Sequence, residues 1–406
     1  MGRSGLRGAL AVALVALGGV AAACGEEEET ASARAAEQQQ GPIRIGAAID
    51  RTKSMAPFDG PALAAAQIRA EQLNQQGGAS GRRLEFEVRD TQLDPERTRS
   101  SAIDLVSRGV DLLWVSCDVD VSMPSIQVGL SRRLLTVAPC IGTDQMGPKR
   151  FGEAGNLAYS FGNVAQDEGA ALAQLARDKG FDTANVVTDK ALVYTQNVCQ
   201  AFTNRFTELG GRVEEQESFT EGDETVGNVV RRVNRSEADT IVMCATTQND
   251  LPAFVSGVRS AGNDTTIMGP WSIDGAGWLP KSDRVADNIL LTTYASVYGD
   301  DPDPRVRELI AKLKQRDAEP VTGGFVAGAA AVDGIAAAVQ RTDGSTQGAR
   351  LASTMGGFRD LVTVSGQVSF SDEFHTAFGR QYRVIEIQNG KPRFTGLVEA
   401  RTPAEL

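Results

Sequence analysis

The strongest constraint on the fold is a pattern of short apolar strands alternating with amphipathic helices, which occurs in residues 43–139 and again in residues 184–269. Each copy begins with a β-branched run, and the first helix of each copy ends at a Gly-Gly pair, Gly77-Gly78 or Gly210-Gly211. Strands that alternate with helices predict a parallel, doubly wound sheet. Two copies therefore predict an α/β protein with two lobes. Ligands of such sheets lie outside the carboxyl ends of the strands, so the facing lobes would form a cleft.

The C-terminal third does not repeat the pattern. It predicts a strand at 288–294 and helices near 303–317, 324–341 and 345–355. Two final strands, 382–388 and 392–398, flank Asn389-Gly390, which is a strong hairpin turn signal. We expect this part of the chain to complete both lobes.

Composition argues against several classes of function. Lys and Arg number 41 against 52 Asp and Glu, giving a formal net charge of −11, whereas a nucleic-acid binder needs a basic face. His375 is the single histidine, and the sequence has no GxSxG, GxxxxGK[ST], GxGxxG or CxxC motif. The sequence therefore predicts no enzyme, no cofactor and no metal site. We expect His375 to lie in a solvent-exposed loop.

The N-terminus predicts export and lipid anchoring. Residues 1–23 have two arginines, an uncharged run and small residues before Cys24, which is typical of a lipoprotein signal peptide. The alternative is an ordinary signal peptide followed by an incidental cysteine. Residues 24–41 lack any aliphatic side chain larger than alanine, and we expect them to form a disordered tether behind a lipidated Cys24. The predicted location is the outer face of the cytoplasmic membrane.

Several short motifs, taken in order, resemble the type I periplasmic binding proteins, in the branched-chain amino-acid and amide-binding branch that serves ABC importers. The resemblance covers residues 41–400 and rests on these stretches: residues 43–47, Phe58 spaced from Leu73-Asn74 and Gly77-Gly78, residues 81–84, Asp94-Pro95, Asp189-Lys190 with Tyr194, residues 267–270, and Gly324-Phe325. It implies two Rossmann-like lobes, a three-strand hinge and a ligand cleft. The lobes would comprise 42–162 with 295–374, and 163–294 with 375–400.

The function implied by the resemblance is capture of a small polar ligand by lobe closure and its delivery to an ABC permease. The ligand would be an amino acid, an amide, or a related amine or aromatic compound, and the protein would act as a monomer. A ligand-sensing lipoprotein for a signalling system is an alternative on the same fold. An exported two-lobed enzyme and a passive scaffold lipoprotein are further alternatives.

Four cysteines besides Cys24 allow three disulfide pairings. Cys117 ends the third strand of the first unit and Cys140 follows the fourth, and these strands are neighbours in a doubly wound order. Cys244 ends the third strand of the second unit, beside the helix that carries Cys199. We therefore expect Cys117–Cys140 and Cys199–Cys244, with a metal or redox site as the alternative.

In the first lobe, the resemblance places the polar end of the ligand in the loops after the third and fourth strands. The residues implied there are Asp118, Ser122, Cys140, Ile141 and Thr143. Asp118 stands where amino-acid binders carry serines, so it would accept from an amine, amide or hydroxyl, or else cap the next helix. The resemblance also implies an aromatic wall at Phe58, which could equally be a packing residue.

In the second lobe, the resemblance implies contacts from Tyr194, Thr246 and Trp271. The alternatives are that Tyr194 packs in the core and that Trp271, with Trp278, fixes a surface loop. Asp274 lies three residues beyond Trp271, near the position of the acid that meets a ligand ammonium group. Phe325 matches an aromatic residue at the mouth of the cleft, or packs within its helix. The enzyme alternative would require Asp118 and Asp274 to form a pair of acids across the cleft.

Overall fold

The structure is a computed structural model of the 406-residue chain and describes residues 41–246, 250–279 and 285–406. The predicted signal peptide, Cys24 and the tether up to residue 40 lie outside the described residues. Residues Ile43–Leu406 form one compact unit.

The described strands are, in chain order, β1 (Ile43–Ile49), β2 (Leu84–Asp90), β3 (Leu112–Val115), β4 (Thr136–Ala138), β5 (Ala158–Asn163), β6 (Thr183–Asp189), β7 (Arg212–Phe219), β8 (Thr240–Cys244), β9 (Thr266–Gly269), β10 (Ile289–Thr293), β11 (Leu361–Thr363), β12 (Gly366–Val368), β13 (Thr376–Ala377), β14 (Tyr382–Gln388) and β15 (Lys391–Val398). The described α-helices are α1 (Ala56–Gln75), α2 (Pro95–Ser107), α3 (Val119–Ser131), α4 (Pro148–Phe151), α5 (Ala165–Asp178), α6 (Val193–Glu208), α7 (Val226–Val233), α8 (Asp250–Ser260), α9 (Pro304–Lys314), α10 (Val326–Arg341) and α11 (Gly348–Gly356).

Two sheets define the two lobes. The first has six parallel strands in the order β13-β5-β4-β3-β1-β2. The second has the order β15-β14-β10-β9-β8-β6-β7, and its strand pairs are parallel except for β10–β14 and β14–β15, because β14 alone runs in the opposite direction. The predicted α/β class with two doubly wound lobes is confirmed.

The chain crosses between the lobes three times. It passes from β5 of the first sheet into α5, which packs on α6 of the second lobe. It returns after β10 to α9, which packs on α1, and it crosses a last time between β13 and β14. These crossings form the hinge that the resemblance implied.

Local sequence signals explain where several elements begin. Asp94 caps α2 by accepting a hydrogen bond from the backbone N of Arg97 at 2.7 Å, and Pro95 occupies the first helical position, where no N–H is needed. Asn389 and Gly390 both have positive φ, 52° and 71°, and they turn β14 back onto β15. The Asn-Gly hairpin prediction is confirmed.

One described helical segment, Gly323–Arg341, is long and apolar enough to cross a membrane. Of its most apolar 18-residue window, 83% is buried inside the protein, and its α10 portion packs against α1 of the first lobe. Its small residues serve this close packing: a Cβ at Gly328 would lie 1.9 Å from the carbonyl oxygen of Ala62.

Three features differ from expectation. No strand or helix is predicted from the sequence at β5 and α5, whereas most residues of both elements are buried in the structure. Strand β13 extends the first sheet, although residues 375–400 were assigned to the second lobe. His375 is buried, not exposed: its ring stacks on Tyr159 with centroids 4.3 Å apart, and Nδ1 lies 3.0 Å from the carbonyl oxygen of Ala158.

Candidate functional site

A cavity of about 450 Å³ lies between the lobes, at the carboxyl ends of strands from both sheets. This is where a parallel α/β fold offers loops and helix N-termini to a ligand. Its lining residues come from both lobes, and are Ser54, Met55, Pro57, Phe58, Leu93, Cys117, Asp118, Val121, Cys140, Ile141, Gly142, Thr143, Ala191, Leu192, Tyr194, Glu221, Thr246, Trp271 and Ser272. We call this cavity the cleft.

A disulfide between Cys117 and Cys140 forms part of the cleft wall in the first lobe. The two cysteines follow the neighbouring strands β3 and β4, and their Cα atoms are 4.7 Å apart. The bond therefore fixes the two loops that supply Asp118 and Thr143. The predicted pairing is present.

Asp59 supports the same wall from behind. Its carboxylate accepts hydrogen bonds from the backbone N of Cys117 at 2.8 Å, the backbone N of Asp50 at 2.9 Å and the hydroxyl of Ser116. Burial raises the pKa of Asp59 to about 7, against the lowering effect of these donors. This carboxylate joins the ends of β1 and β3 to the first turn of α1, which carries Phe58.

Asp118 both lines the cleft and caps helix α3. Its Oδ1 accepts from the backbone N of Asp120 at 2.9 Å and of Val121 at 3.1 Å. Among the described residues, no group donates a hydrogen bond to Oδ2. Burial raises the pKa of Asp118, whose exposed fraction is only 7%. The helix-cap alternative is thus realised, and one carboxylate oxygen remains for a further partner.

Aromatic rings from the two lobes meet across the cleft. Phe58 of the first lobe and Trp271 of the second are arranged edge to face, with centroids 5.6 Å apart. The ring centroids of Tyr194 and Trp271 are 6.1 Å apart. Gly142 of the first lobe is so close to Tyr194 that a Cβ at this position would lie 2.7 Å from the Tyr194 ring. The lobes are therefore in contact at this position, and the three rings form one wall.

Glu168, at the start of α5, holds two of these rings in place. Its carboxyl accepts a hydrogen bond from the Tyr194 hydroxyl at 2.6 Å and another from the Trp271 backbone N at 2.8 Å. The pKa of Glu168 is raised to about 8, mainly by its complete burial and to a smaller extent by the nearby Asp167, against the lowering effect of these two donors. Glu168 is not among the site residues predicted from the sequence, because no helix is predicted for its segment.

A buried polar cluster lies behind Glu168, at the crossings between the lobes. Asn163 Nδ2 donates to Asp167 at 2.8 Å and to the hydroxyl of Tyr382 at 2.5 Å, and Asn163 N donates to the hydroxyl of Tyr294 at 3.1 Å. The guanidinium of Arg380 lies 4.5 Å from the centre of the Tyr294 ring. Each of the three crossings contributes a residue to this cluster. The cluster therefore connects the hinge segments to Glu168, which holds the aromatic wall of the cleft.

Most of the predicted site residues come together in the cleft, and three do not. Those that line it are Phe58, Asp118, Cys140, Ile141, Thr143, Tyr194, Thr246 and Trp271. Ser122 is buried one turn into α3 and donates to the carbonyl oxygen of Ser116 at 3.2 Å. Phe325 is 1% exposed and packs in the core between the lobes.

Asp274 is also outside the cleft, and the expectation that it meets a ligand needs correction. It is 1% exposed, and it accepts from Thr293 Oγ1 at 2.7 Å, Tyr298 Oη at 3.0 Å and the backbone N of Gly323 at 2.6 Å. These bonds fasten the loop after β9 to the second crossing. The pair of acids that the enzyme hypothesis required is therefore absent between Asp118 and Asp274.

Glu221 is a second acid in the cleft that sequence analysis missed. It follows β7, at the carboxyl end of a strand in the second lobe, and its backbone N donates to Asp189 at 3.1 Å. Glu221 lies shortly after the carboxyl end of β7, and in a doubly wound sheet such positions face the ligand. This position is the sequence signal that could have identified Glu221.

The second disulfide, Cys199–Cys244, lies within the second lobe and away from the cleft lining. It joins helix α6 to the end of β8, with 5.8 Å between the Cα atoms. This predicted pairing is also present. Since each disulfide lies within a single lobe, neither one spans the hinge.

Comparison with known proteins gives a consistent result. A family model described as periplasmic binding protein matches residues 42–392. The leucine-, isoleucine-, valine-, threonine- and alanine-binding protein of Pseudomonas aeruginosa is 22% identical over 287 residues, covering 70% of this chain and 74% of that protein.

Solved structures share the fold over nearly the whole chain. The branched-chain amino acid transporter substrate-binding protein of Streptococcus pneumoniae, in complex with isoleucine, has a TM-score of 0.74 at 17% identity, covering 88% of this chain and 99% of that chain. An ABC transporter solute-binding protein of R. palustris, in complex with benzoate, has a TM-score of 0.71 at 17% identity, covering 90% and 99%. Together with the match over residues 42–392, the two lobes and the cleft lead to one conclusion. The chain belongs to the periplasmic binding protein family.

Proposed function

We propose that this chain is the solute-binding protein of an ABC importer and that its cleft captures a single small solute as the two lobes close. The permease of that importer would recognise the closed form. The observation that carries this proposal is the ring contact between Phe58 and Trp271, because each lobe supplies one of the two rings. A solute that touches both lobes stabilises the closed form and shifts the population toward it. Neither lobe alone would enclose the solute.

The size and lining of the cleft suit a small amphiphilic solute. A volume of about 450 Å³ is in the range of small-molecule sites, which combine apolar walls with a few polar groups. The relatives named above bind leucine, isoleucine, valine, threonine and alanine in one case, isoleucine in another and benzoate in the third, all of which are small molecules. We infer a ligand of similar dimensions for this chain.

We assign the contacts as follows. In the first lobe, Phe58 and Ile141 supply apolar surface, Asp118 and Thr143 supply polar groups, and Cys140 contributes the disulfide wall. In the second lobe, Tyr194 and Trp271 supply rings and Thr246 a hydroxyl. Tyr194 donates its own hydroxyl hydrogen to Glu168, so its contribution to the ligand is the face of its ring.

The test is a thermal-shift screen of the oxidised protein against amino acids, their amides, amines and aromatic acids, followed by small-angle scattering with each hit. A solute at 100 times its Kd should add about 2.7 kcal/mol of stability and reduce the radius of gyration. Tyr194→Ala should weaken binding while leaving the circular dichroism spectrum unchanged. Binding without compaction, or unchanged affinity in Tyr194→Ala, would contradict capture by this cleft.

We further propose that residues 1–23 are a signal peptide, that Cys24 is lipidated and that the mature protein is a monomer on a flexible tether. The supporting pattern is the small-residue run before Cys24 and the polar stretch that follows it. Mass spectrometry of the mature protein should find an N-terminal diacylglyceryl cysteine. Cys24→Ala should move the protein from the membrane fraction to the soluble fraction, and an unchanged distribution would contradict the anchor.

A further inference from the structure

The charged side chains among the described residues that line the cleft are all acidic. Asp118 and Glu221 place two carboxyl groups in it, and no Lys, Arg or His is among the described residues that line it. Within this part of the lining, a free carboxylate on a ligand would therefore meet acidic groups and no cationic side chain. An organic cation would find opposite charge instead.

The aromatic wall favours the same kind of ligand. Phe58, Tyr194 and Trp271 surround one side of the cleft, with centroid separations of 5.6 and 6.1 Å from the Trp271 ring. The faces of such rings attract ammonium groups within about 6 Å, and groups of rings form cages for alkylated amines. The rings also provide apolar surface for the rest of the ligand.

Polar atoms without partners show what else the ligand must offer. Asp118 Oδ2 receives no hydrogen bond from a described residue, although this side chain is more than nine-tenths buried. Trp271 Nε1 is a buried donor without an acceptor, and the Thr246 hydroxyl is buried without a partner in the described part of the chain. Buried polar groups are costly to leave unpaired. A ligand that fits supplies a donor for Asp118 and an acceptor for Trp271.

We propose that the cleft selects a small organic monocation with an apolar body and one neutral oxygen acceptor, and discriminates against ligands with a free carboxylate. This inference rests on the proposed function, since it concerns the ligand of the same cleft. The ammonium group would pair with Asp118 beside the aromatic wall, and the neutral oxygen would accept from Trp271 Nε1. Burial raises the pKa of Asp118, and a bound cation would favour its ionised form.

The test uses four probes that share one isobutyl body and differ only in charged and polar groups: L-leucinamide, L-leucine, 4-methylpentanoate and 3-methylbutylamine. Isothermal titration of the oxidised full chain near pH 7 measures each Kd. A matching series with a benzyl body covers a larger ligand. We expect the amide to bind at least about tenfold more tightly than the amino acid, and the carboxylate to bind most weakly. The amine without an oxygen should fall between them.

A charge-removing variant separates recognition from folding. Asp118→Asn keeps an oxygen that can cap α3 but loses the charge, so it should weaken amide binding about tenfold while the melting temperature stays within a few degrees. The matched control is Asp303→Asn, because Asp303 caps α9 in the same way and lies outside the cleft lining. It should leave Kd unchanged.

Each outcome bears on the inference. Tighter binding of the amide, lost in Asp118→Asn and kept in Asp303→Asn, supports it. If the amino acid or the carboxylate binds as tightly as the amide, the selectivity is overturned while solute capture stands. If none of the probes binds at 10 mM, this ligand class is overturned, and the broad screen with scattering decides separately whether the cleft captures a solute.

Discussion

Phe58 and Trp271, which belong to different lobes, meet edge to face with ring centroids 5.6 Å apart. Phe58 is in the first turn of α1, and Trp271 follows β9. Because the two rings belong to different lobes, separation of the lobes would break their contact, whereas each disulfide lies within one lobe and would not be affected. The ring pair is therefore a direct reporter of closure.

Phe58→Ala should weaken solute binding by roughly tenfold. An aromatic pair contributes about 0.5–1.5 kcal/mol beyond area burial, and the ligand also loses one face of its apolar wall. Titration calorimetry with any hit from the screen measures the change. The control is Phe374→Ala, because Phe374 is also half-buried and pairs edge to face with Phe378 at 5.9 Å, outside the cleft lining. Equal losses in both variants would contradict a specific role for Phe58.

Gly142→Ala tests closure by steric means. A Cβ at this position would lie 2.7 Å from two ring carbons of Tyr194, which belongs to the opposite lobe. Because Glu168 holds the Tyr194 hydroxyl at 2.6 Å, the ring cannot easily withdraw. We expect at least tenfold weaker binding and a smaller ligand-induced compaction in scattering, with a melting temperature of the free protein close to wild type.

The matched control for that substitution is Gly396→Ala in β15, where a Cβ would meet nothing within 4 Å. It should bind and compact as wild type does. If Gly142→Ala closes normally, the lobes approach by a path that avoids Tyr194, and the steric argument fails.

Glu168 predicts a pH dependence of stability. Its pKa is raised from 4.5 to about 8 by burial, so the folded protein holds a proton that the unfolded chain releases. The stability due to this group is complete below pH 4.5 and is lost as pH rises through about 8. Glu168→Gln cannot titrate and retains a hydrogen-bonding group toward Tyr194 and Trp271.

The measurement is the free energy of unfolding of both proteins in urea between pH 5 and 9. Wild type should lose stability relative to Glu168→Gln by a difference on the order of 3 kcal/mol across this range. Two other groups act on the Glu168 carboxyl, and both are present in the two proteins. Asp167, whose pKa is raised to about 6, titrates in both, and Arg380 remains charged in both, so neither contributes to the difference. A constant difference at every pH would show that Glu168 is ionised throughout.

The parts of the fold that sequence could predict are those with local causes. Asp94-Pro95 starts α2 because side-chain capping and a missing N–H favour that site, and Asn389-Gly390 makes a hairpin because both residues tolerate positive φ. The Cys117–Cys140 disulfide follows from neighbouring strands, and the Cys199–Cys244 disulfide follows from a strand and the helix beside it. Residues at strand ends, such as Tyr194 and Thr143, reached the cleft because parallel strands bring their carboxyl ends together.

Other features depend on contacts between distant segments. Asp274 resembles a ligand acid by position, yet Thr293, Tyr298 and Gly323 from later in the chain occupy its oxygens. His375 is covered by Tyr159, more than 200 residues earlier, and Glu168 meets Trp271 about 100 residues later. Local patterns carry no information on such pairs, so those predictions failed or were never made.

The Cys199–Cys244 disulfide should stabilise the second lobe in oxidised protein. The two cysteines are 45 residues apart, and closing a loop of that length in the unfolded chain corresponds to about 4 kcal/mol in the chain-entropy model. The double substitution Cys199→Ala/Cys244→Ala should therefore lower the free energy of unfolding by about 3–4 kcal/mol. The comparison is made in urea with and without reductant. Adding reductant should abolish most of the difference from wild type, because the wild-type bridge is then open as well. A difference that persists undiminished would mean that packing of the cysteine side chains, and not the covalent link, stabilises this part of the lobe.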